Sequence, residues 1–147
     1  MSEYLKVQTE YRDEALLQQA IQNVATEMGI PVEEYPQNRE QHLLGYQGDV
    51  RPETAQFIIR RQHLNSLSND LGWSRQPDGA YRLIISDFDR RQVHRSQDIT
   101  ARVDVEYQRL YVERQVQTNP RLRGSRVVAK RNAMTGVVQL QIVNVRV

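Results

Sequence analysis

Two segments of the chain repeat apolar residues at helical spacing, and the rest alternates in the manner of short β-strands. In the first segment, residues 13–28, Asp13 stands at the N-cap position, Gly29 occupies the C′ position and Pro31 prevents continuation. Its apolar stripe consists of Leu17, Ala20, Ile21, Val24, Ala25 and Met28. This pattern predicts an amphipathic helix with one buried face.

The second segment spans residues 98–117 and ends before Asn119 and Pro120. Its apolar stripe consists of Ile99, Val103, Tyr107, Leu110 and Tyr111. Charged residues such as Arg102, Glu106 and Arg109 fall mostly on the other face, so this segment also predicts an amphipathic helix.

Strict alternation from Tyr4 to Tyr11 predicts an opening strand. Further strands are predicted at residues 31–35, 42–46, 55–61, around Trp73 and at 81–85. Pro77, Asp78 and Gly79 are typical of a tight hairpin turn, which places Trp73 across from the strand that follows. Residues 127–131 and 137–145 predict a final hairpin with its turn at 132–136, and a phase change near Ile142 indicates a bulge there.

The resulting order is β-α-β-β-β-β-β-α-β-β over one domain, residues 1–147. We predict an α+β fold, a two-layer sandwich in which both helices cover one face of a single, mostly antiparallel sheet. The predicted core consists of Leu17, Ile21, Val24, Phe57, Ile59, Leu83, Ile85, Val103, Leu110, Leu140 and Ile142.

Composition excludes several classes of site. The 147 residues include no cysteine, which rules out disulfides, thiolate nucleophiles and cysteine-ligated metals. No apolar run reaches the roughly 20 residues of a membrane-spanning helix, and the start lacks a secretory pattern. We therefore expect a cytoplasmic protein without membrane insertion. The 20 Lys and Arg residues nearly balance 18 Asp and Glu residues, so overall charge says little about nucleic acid.

A family resemblance is carried by four short stretches in a fixed order. They are Gly45-Tyr46-Gln47-Gly48, residues 54–61, Asn69-Asp70-Leu71-Gly72-Trp73, and Asp78-Gly79 with Tyr81. In these the chain resembles a divergent member of the hypothetical chloroplast reading frame thirty-five family, a group of cyanobacterial and plastid proteins of unknown function. The resemblance implies a setting in cyanobacterial cytosol or plastid stroma. It also implies a partner role with a ring-forming ATPase, near which members tend to be encoded.

No motif indicates catalysis, a cofactor or a metal. His42, His63 and His94 lack ligand spacing, so a zinc site would need all three to converge. Asp87 and Asp89 follow a predicted strand and would share a face if it continued, which leaves a hydrolase as a weak third hypothesis. We predict that the protein is not an enzyme.

The basic residues suggest how such a protein binds. Arg121, Arg123, Arg126, Lys130 and Arg131 lie close together with no acid between them. Our leading hypothesis is a non-enzymatic assembly or regulatory factor that docks a protein partner, because arginine fits carboxylate-rich surfaces. Nucleic-acid binding through the same segment is the alternative. Tyr46, Gln47, Asn69 and Asp70 are further candidate contact residues, while the partner's identity and the oligomeric state stay open.

Overall fold

The computed structural model describes residues 3–131 and 138–144, and within them the fold is α+β. The elements are β1 (Tyr4–Tyr11), α1 (Glu14–Met28), β2 (Glu33–Glu34), β3 (Gln41–Leu44), β4 (Val50–Ala55), β5 (Phe57–Ile59), β6 (Leu71–Arg75), β7 (Tyr81–Ser86), α2 (Asp87–Gln92), α3 (His94–Thr118), β8 (Ser125–Arg131) and β9 (Val138–Asn144). A 3₁₀ turn at Arg61–His63 links β5 to the segment before β6.

The central sheet contains five antiparallel strands in the order β1-β7-β6-β5-β2. The predicted turn connects β6 to β7: Gly79 adopts a φ of 89°, and the Asp78 carboxylate accepts a hydrogen bond of 3.0 Å from the Ala80 N–H. Trp73 consequently pairs with Leu83, as the sequence predicts.

Both long helices lie on one face of this sheet. Asp13 caps α1 through a 2.9 Å hydrogen bond from the Leu16 N–H, and Gly29 ends it in the left-handed conformation. The apolar stripes of α1 and α3 join alternate residues of the strands in one core. Its members include the predicted core residues Leu17, Ile21, Val24, Phe57, Ile59, Leu83, Ile85 and Val103, while Leu110 is partly buried at its edge.

The other face of the sheet is covered by a two-stranded sheet, β3–β4, a layer that the sequence analysis does not predict. Leu43 and Ala55 from this hairpin pack against Ile58 and Ile84. Gly72 makes the close approach possible, because a Cβ atom there would lie 2.7 Å from the Cβ of Ala55. Strand β4 escapes sequence-based prediction since Arg51-Pro52-Glu53-Thr54 lacks apolar alternation, although an edge strand tolerates proline.

After β7 the chain turns directly into α2, so Asp87 and Asp89 do not extend a strand. Ser86 is the N-cap, accepting a 3.0 Å hydrogen bond from the Asp89 N–H. Helix α3 begins at His94, four residues before its predicted start. In the part of the chain that the structure describes, no helix combines the length and apolar character that crossing a bilayer would require.

Strands β8 and β9 form a separate two-stranded ribbon, so the prediction of one continuous sheet is wrong. Their register runs without a shift from Ser125↔Asn144 to Arg131↔Val138, and the bulge predicted near Ile142 is absent. The predicted turn at 132–136 lies outside the described residues. Leu140 is half-buried and Ile142 is 45% exposed, against the prediction that both are core. Alternation correctly indicates strands here, but it does not indicate which sheet they join.

A buried polar contact joins β1 to α3. The Tyr11 hydroxyl donates a hydrogen bond to the Asp104 carboxylate, and the Tyr11 ring packs edge-on against Tyr107 with 5.0 Å between centroids. Burial raises the pKa of Asp104, although the Tyr11 hydrogen bond opposes this, and burial likewise raises the pKa of Tyr11. The carboxylate is therefore held in a site that favours its neutral form.

The first prediction concerns the core. Leu83→Ala should lower the free energy of unfolding by about 2–5 kcal/mol, because it leaves a cavity between the sheet and the helices. Leu67→Ala, at a side chain that is 55% exposed, is the control and should change it by less than about 0.5 kcal/mol. Urea denaturation measures both, and equal effects would contradict the packing described.

The second prediction concerns Asp104. Because the folded-state pKa is raised, its contribution to stability is present below the unfolded-state pKa and is lost as pH rises through the folded-state pKa. Asp104→Asn keeps the shape and an acceptor for Tyr11 but removes this titration. The variant should gain stability relative to the wild type as pH rises above the unfolded-state pKa of about 3.9. If the difference in free energy of unfolding between the variant and the wild type does not change with pH, the prediction is wrong.

Candidate functional site

The Asp70 carboxylate is buried between the central sheet and the β3–β4 sheet, with 1% of the residue exposed. Its Oδ2 accepts hydrogen bonds from the Leu44 N–H at 2.7 Å and from Arg60 Nη1 at 2.6 Å. Its Oδ1 accepts one from the Arg61 N–H at 2.8 Å. Each oxygen has a donor, which is what a buried carboxylate requires to be tolerated.

Arg60 carries the network from Asp70 to β2. Its Nε and Nη2 donate to the two carboxylate oxygens of Glu33 at 2.8 and 2.9 Å, a bidentate geometry. Hydrogen bonds from Arg60 hold the pKa of Glu33 below its usual value, and those to Glu33 and Asp70 raise the pKa of Arg60. This arginine is fully engaged inside the protein.

A second buried group surrounds Asp89, of which 1% is exposed. Asp89 Oδ1 accepts from the Ser86 hydroxyl at 2.9 Å and the Asn69 N–H at 3.1 Å, while Oδ2 accepts from the Ser96 hydroxyl at 3.0 Å. The Asn69 side chain also accepts a 3.0 Å hydrogen bond from the Tyr46 N–H. Asp89 thus ties the segment before β6 to the start of α2 and α3.

These contacts locate four of the sequence-predicted candidates. Asn69 and Asp70 are buried and their polar atoms bond within the fold, so their side chains do not form part of the surface. Tyr46 and Gln47 lie in the turn between β3 and β4, where Gly48 has a φ of 80° and Gln47 is exposed. The turn itself is the part of this region that a partner can reach.

Asp87 and Asp89, the hypothetical hydrolase pair, occupy different environments. Asp87 forms an i,i+4 ion pair with Arg91 at 3.0 Å, whereas Asp89 is enclosed. His42 shares a 2.8 Å hydrogen bond with the Arg51 carbonyl. Within the described ranges no group of three or more His, Asp or Glu residues is arranged to hold a metal ion.

The basic segment begins in the turn that joins α3 to β8. The Asn119 side chain accepts a 3.0 Å hydrogen bond from the Arg121 N–H, and Gly124 turns the chain with a φ of 90°. Arg121, Arg123 and Arg126 are all exposed. Lys130 and Arg131 pair through their backbone with Gln139 and Val138, while their side chains lie outside the described part of the structure. We call residues 119–131 the basic arm.

The arginines of the basic arm differ from several that precede it. On α3, Arg109 pairs with Glu106 and Glu113 at 2.6 Å each, and Arg114 pairs with Asp13 at 2.7 Å. Among the described residues, Arg121, Arg123 and Arg126 have no acidic side chain within ion-pair distance. Arg60 and Arg91 also form ion pairs, whereas Arg90 and Arg95 are exposed and, in the described part of the chain, likewise have no acidic partner.

Charge is strongly segregated along the chain. After Asn119 the sequence contains six of its 20 Lys and Arg residues and none of its 18 acids. The remainder of the chain consequently carries 14 basic and 18 acidic residues, a net negative charge. An acidic body with a basic arm will attract anionic groups preferentially to the arm.

Apolar side chains accompany the positive charge on the ribbon. Val127 pairs with Ile142 across the two strands, and Leu140 lies two residues away on the same face. Leu140 and Ile142, predicted from the sequence as core, instead form this accessible apolar strip. Alternation alone predicts the strands but not which sheet they join, so it gives no signal of this exposure.

No family model, curated protein or solved structure matches this chain.

The third prediction tests the structural role of Asp70. Asp70→Asn places an amide where three donors converge, so the free energy of unfolding should fall by about 3 kcal/mol. Asp98→Asn, which breaks an exposed i,i+4 ion pair with Arg102 at 3.1 Å, is the matched control and should cost less than about 1 kcal/mol. Chemical denaturation measures the free energy of unfolding of both variants. A small decrease for the Asp70 variant would show that its hydrogen-bond network is dispensable for stability.

Proposed function

We propose that this protein is a non-enzymatic binding and assembly factor that docks an acidic surface of a partner protein through its basic arm. The observation that carries the proposal is the exposed set Arg121, Arg123 and Arg126, which lacks internal carboxylate partners among the described residues. Elsewhere in the chain, carboxylates satisfy arginines such as Arg60 and Arg109. Exposed guanidinium groups of this kind bind carboxylates bidentately on a partner.

The composition of the ribbon favours a protein over a nucleic acid. Val127, Leu140 and Ile142 offer apolar contact beside the arginines, and a protein surface supplies both acidic and apolar groups. The net negative body would also repel a long polyanion that extends past the arm. A ring-forming ATPase, the partner that the family resemblance implies, is the first protein to test.

Nucleic acid is the second candidate because the basic arm continues into a two-stranded ribbon. A major groove accepts a ribbon of this kind, with arginines on the flanking phosphates. In that case affinity for unrelated duplexes would fall steeply with salt. The logarithm of the binding constant would decrease with the logarithm of the salt concentration, with a slope of about one for each phosphate contact. Electrophoretic mobility shifts over a salt series measure that slope directly.

The fourth prediction is the test of the arm. Replacing Arg121, Arg123 and Arg126 with Glu should abolish co-purification of the protein partner, because like charges across an interface cost several kcal/mol. The melting temperature should scarcely change, since exposed charge reversals move stability by about 0.5 kcal/mol.

The matched control reverses Arg39, Arg90 and Arg95, three exposed arginines that lie outside the arm. This variant has the same net charge as the arm variant and should retain the partner. If both variants lose it, overall charge is responsible and the arm is not the site. If neither loses it, the partner binds elsewhere, and the Tyr46–Gln47 turn becomes the next surface to alter.

A further inference from the structure

Strand β9 forms an outer edge that the described residues leave without a neighbour. It belongs to a two-stranded sheet, and its partner β8 is the strand of the pair that packs mainly against α3. Backbone N–H and C=O groups on such an edge are a template for pairing with another strand. Its side chains are accessible too, since Gln139, Gln141 and Ile142 are exposed.

Three other described edge strands carry features that prevent such pairing. Strand β2 is two residues long and consists of Glu33 and Glu34, and β4 contains Pro52. The edge strand β1 has a register shift between Lys6 and Glu10. Strand β9 has no charge, no proline and no bulge over seven paired residues. Natural edge strands normally use at least one of these features, so their absence here indicates that β9 is paired in the functional protein.

The sequence of β9 is complementary to itself. In an antiparallel pair of two copies centred on Gln141, Leu140 lies opposite Ile142 of the second copy, and Gln139 lies opposite Val143 of the second copy. Leu140 and Ile142 are on one face, so the apolar strip that begins at Val127 continues across the junction. Gln141 faces its own counterpart, and the two amides can hydrogen-bond on the opposite face.

Charge also favours a second copy as the occupant. Because β9 is uncharged, two copies meet without repulsion at the junction. The two β8 strands, which carry Arg126, would lie about 14 Å apart at roughly 4.8 Å per strand spacing. That separation exceeds the screening length of about 8 Å in physiological salt, so repulsion between the two basic arms is weak.

We propose that two copies of this protein associate through β9, forming a continuous four-stranded antiparallel sheet with a two-fold axis at Gln141. The interface is small, since one strand pair buries less than the roughly 1,000 Å² of a stable complex. The dimer is therefore reversible and should dissociate in the micromolar range. This inference does not depend on the proposed function of the basic arm.

The experiment introduces a charge at residue 141, where the two-fold axis would place the same side chain of both copies opposite each other. Gln141→Glu and Gln141→Lys each place like charges opposite one another, and each alone should weaken dimerisation at least about tenfold in sedimentation velocity. An equimolar mixture of the two variants should recover dimerisation, because glutamate then faces lysine. Gln108→Glu, an exposed change on α3, is the control and should associate like the wild type.

Three outcomes would overturn the proposal. One is a wild-type protein that stays monomeric up to several hundred micromolar. Another is a dimer that both Gln141 variants leave unchanged, which would place the interface elsewhere. The third is a mixture no stronger than either variant alone, which would exclude pairing centred on Gln141. Thermal unfolding verifies that both variants fold, as expected for an exposed side chain that makes no described hydrogen bond.

Discussion

Burial of the Asp70 carboxylate links regions of the chain that are far apart in sequence. A carboxylate removed from water must be surrounded by donors, and here they come from the end of β3, from the Arg61 N–H at the start of the 3₁₀ turn and from the Arg60 side chain. Arg60 in turn fixes Glu33 on β2, while the Tyr4 hydroxyl of β1 donates to the Asp70 carbonyl at 2.8 Å. These contacts fix how the β3–β4 layer packs on the central sheet, and Gly72 supplies the space for it.

The parts of this architecture that local chemistry determines can be predicted from the sequence. Helix α1 is specified at both ends by Asp13 and Gly29, and the β6–β7 hairpin by Asp78 and Gly79. Choices that depend on the tertiary structure cannot be predicted in this way. Strand β4 has no local signal around Pro52, and β9 has the same alternation whether it joins the central sheet or forms a ribbon. Which sheet a strand joins depends on contacts between residues that are distant in sequence, such as the contact of Ala55 with Gly72.

The same distinction explains which candidate residues the sequence identifies correctly as accessible. Arg60 and Arg121 look alike in sequence, since each lies in a basic segment. The fold brings Glu33 and Asp70 to Arg60, whereas no described acid approaches Arg121. The sequence offers Asn69 and Asp70 as candidate contact residues, yet their hydrogen bonds hold the interior together. Surface availability depends on which charges are already satisfied, and only tertiary structure shows that.

Association through β9 would change what the basic arm can do. Each copy carries one arm beside β8, so a four-stranded sheet would hold two arms at fixed positions on either side of the two-fold axis. A partner with repeated acidic surfaces, as in a ring of identical subunits, could then be bound at two points, and the second contact would form at a high effective concentration. Arginine contacts that are individually weak and screened by salt would in this way give a stable complex. The uncharged β9 edge and the basic arm would thus act together, because pairing through β9 would set the distance between the two arms.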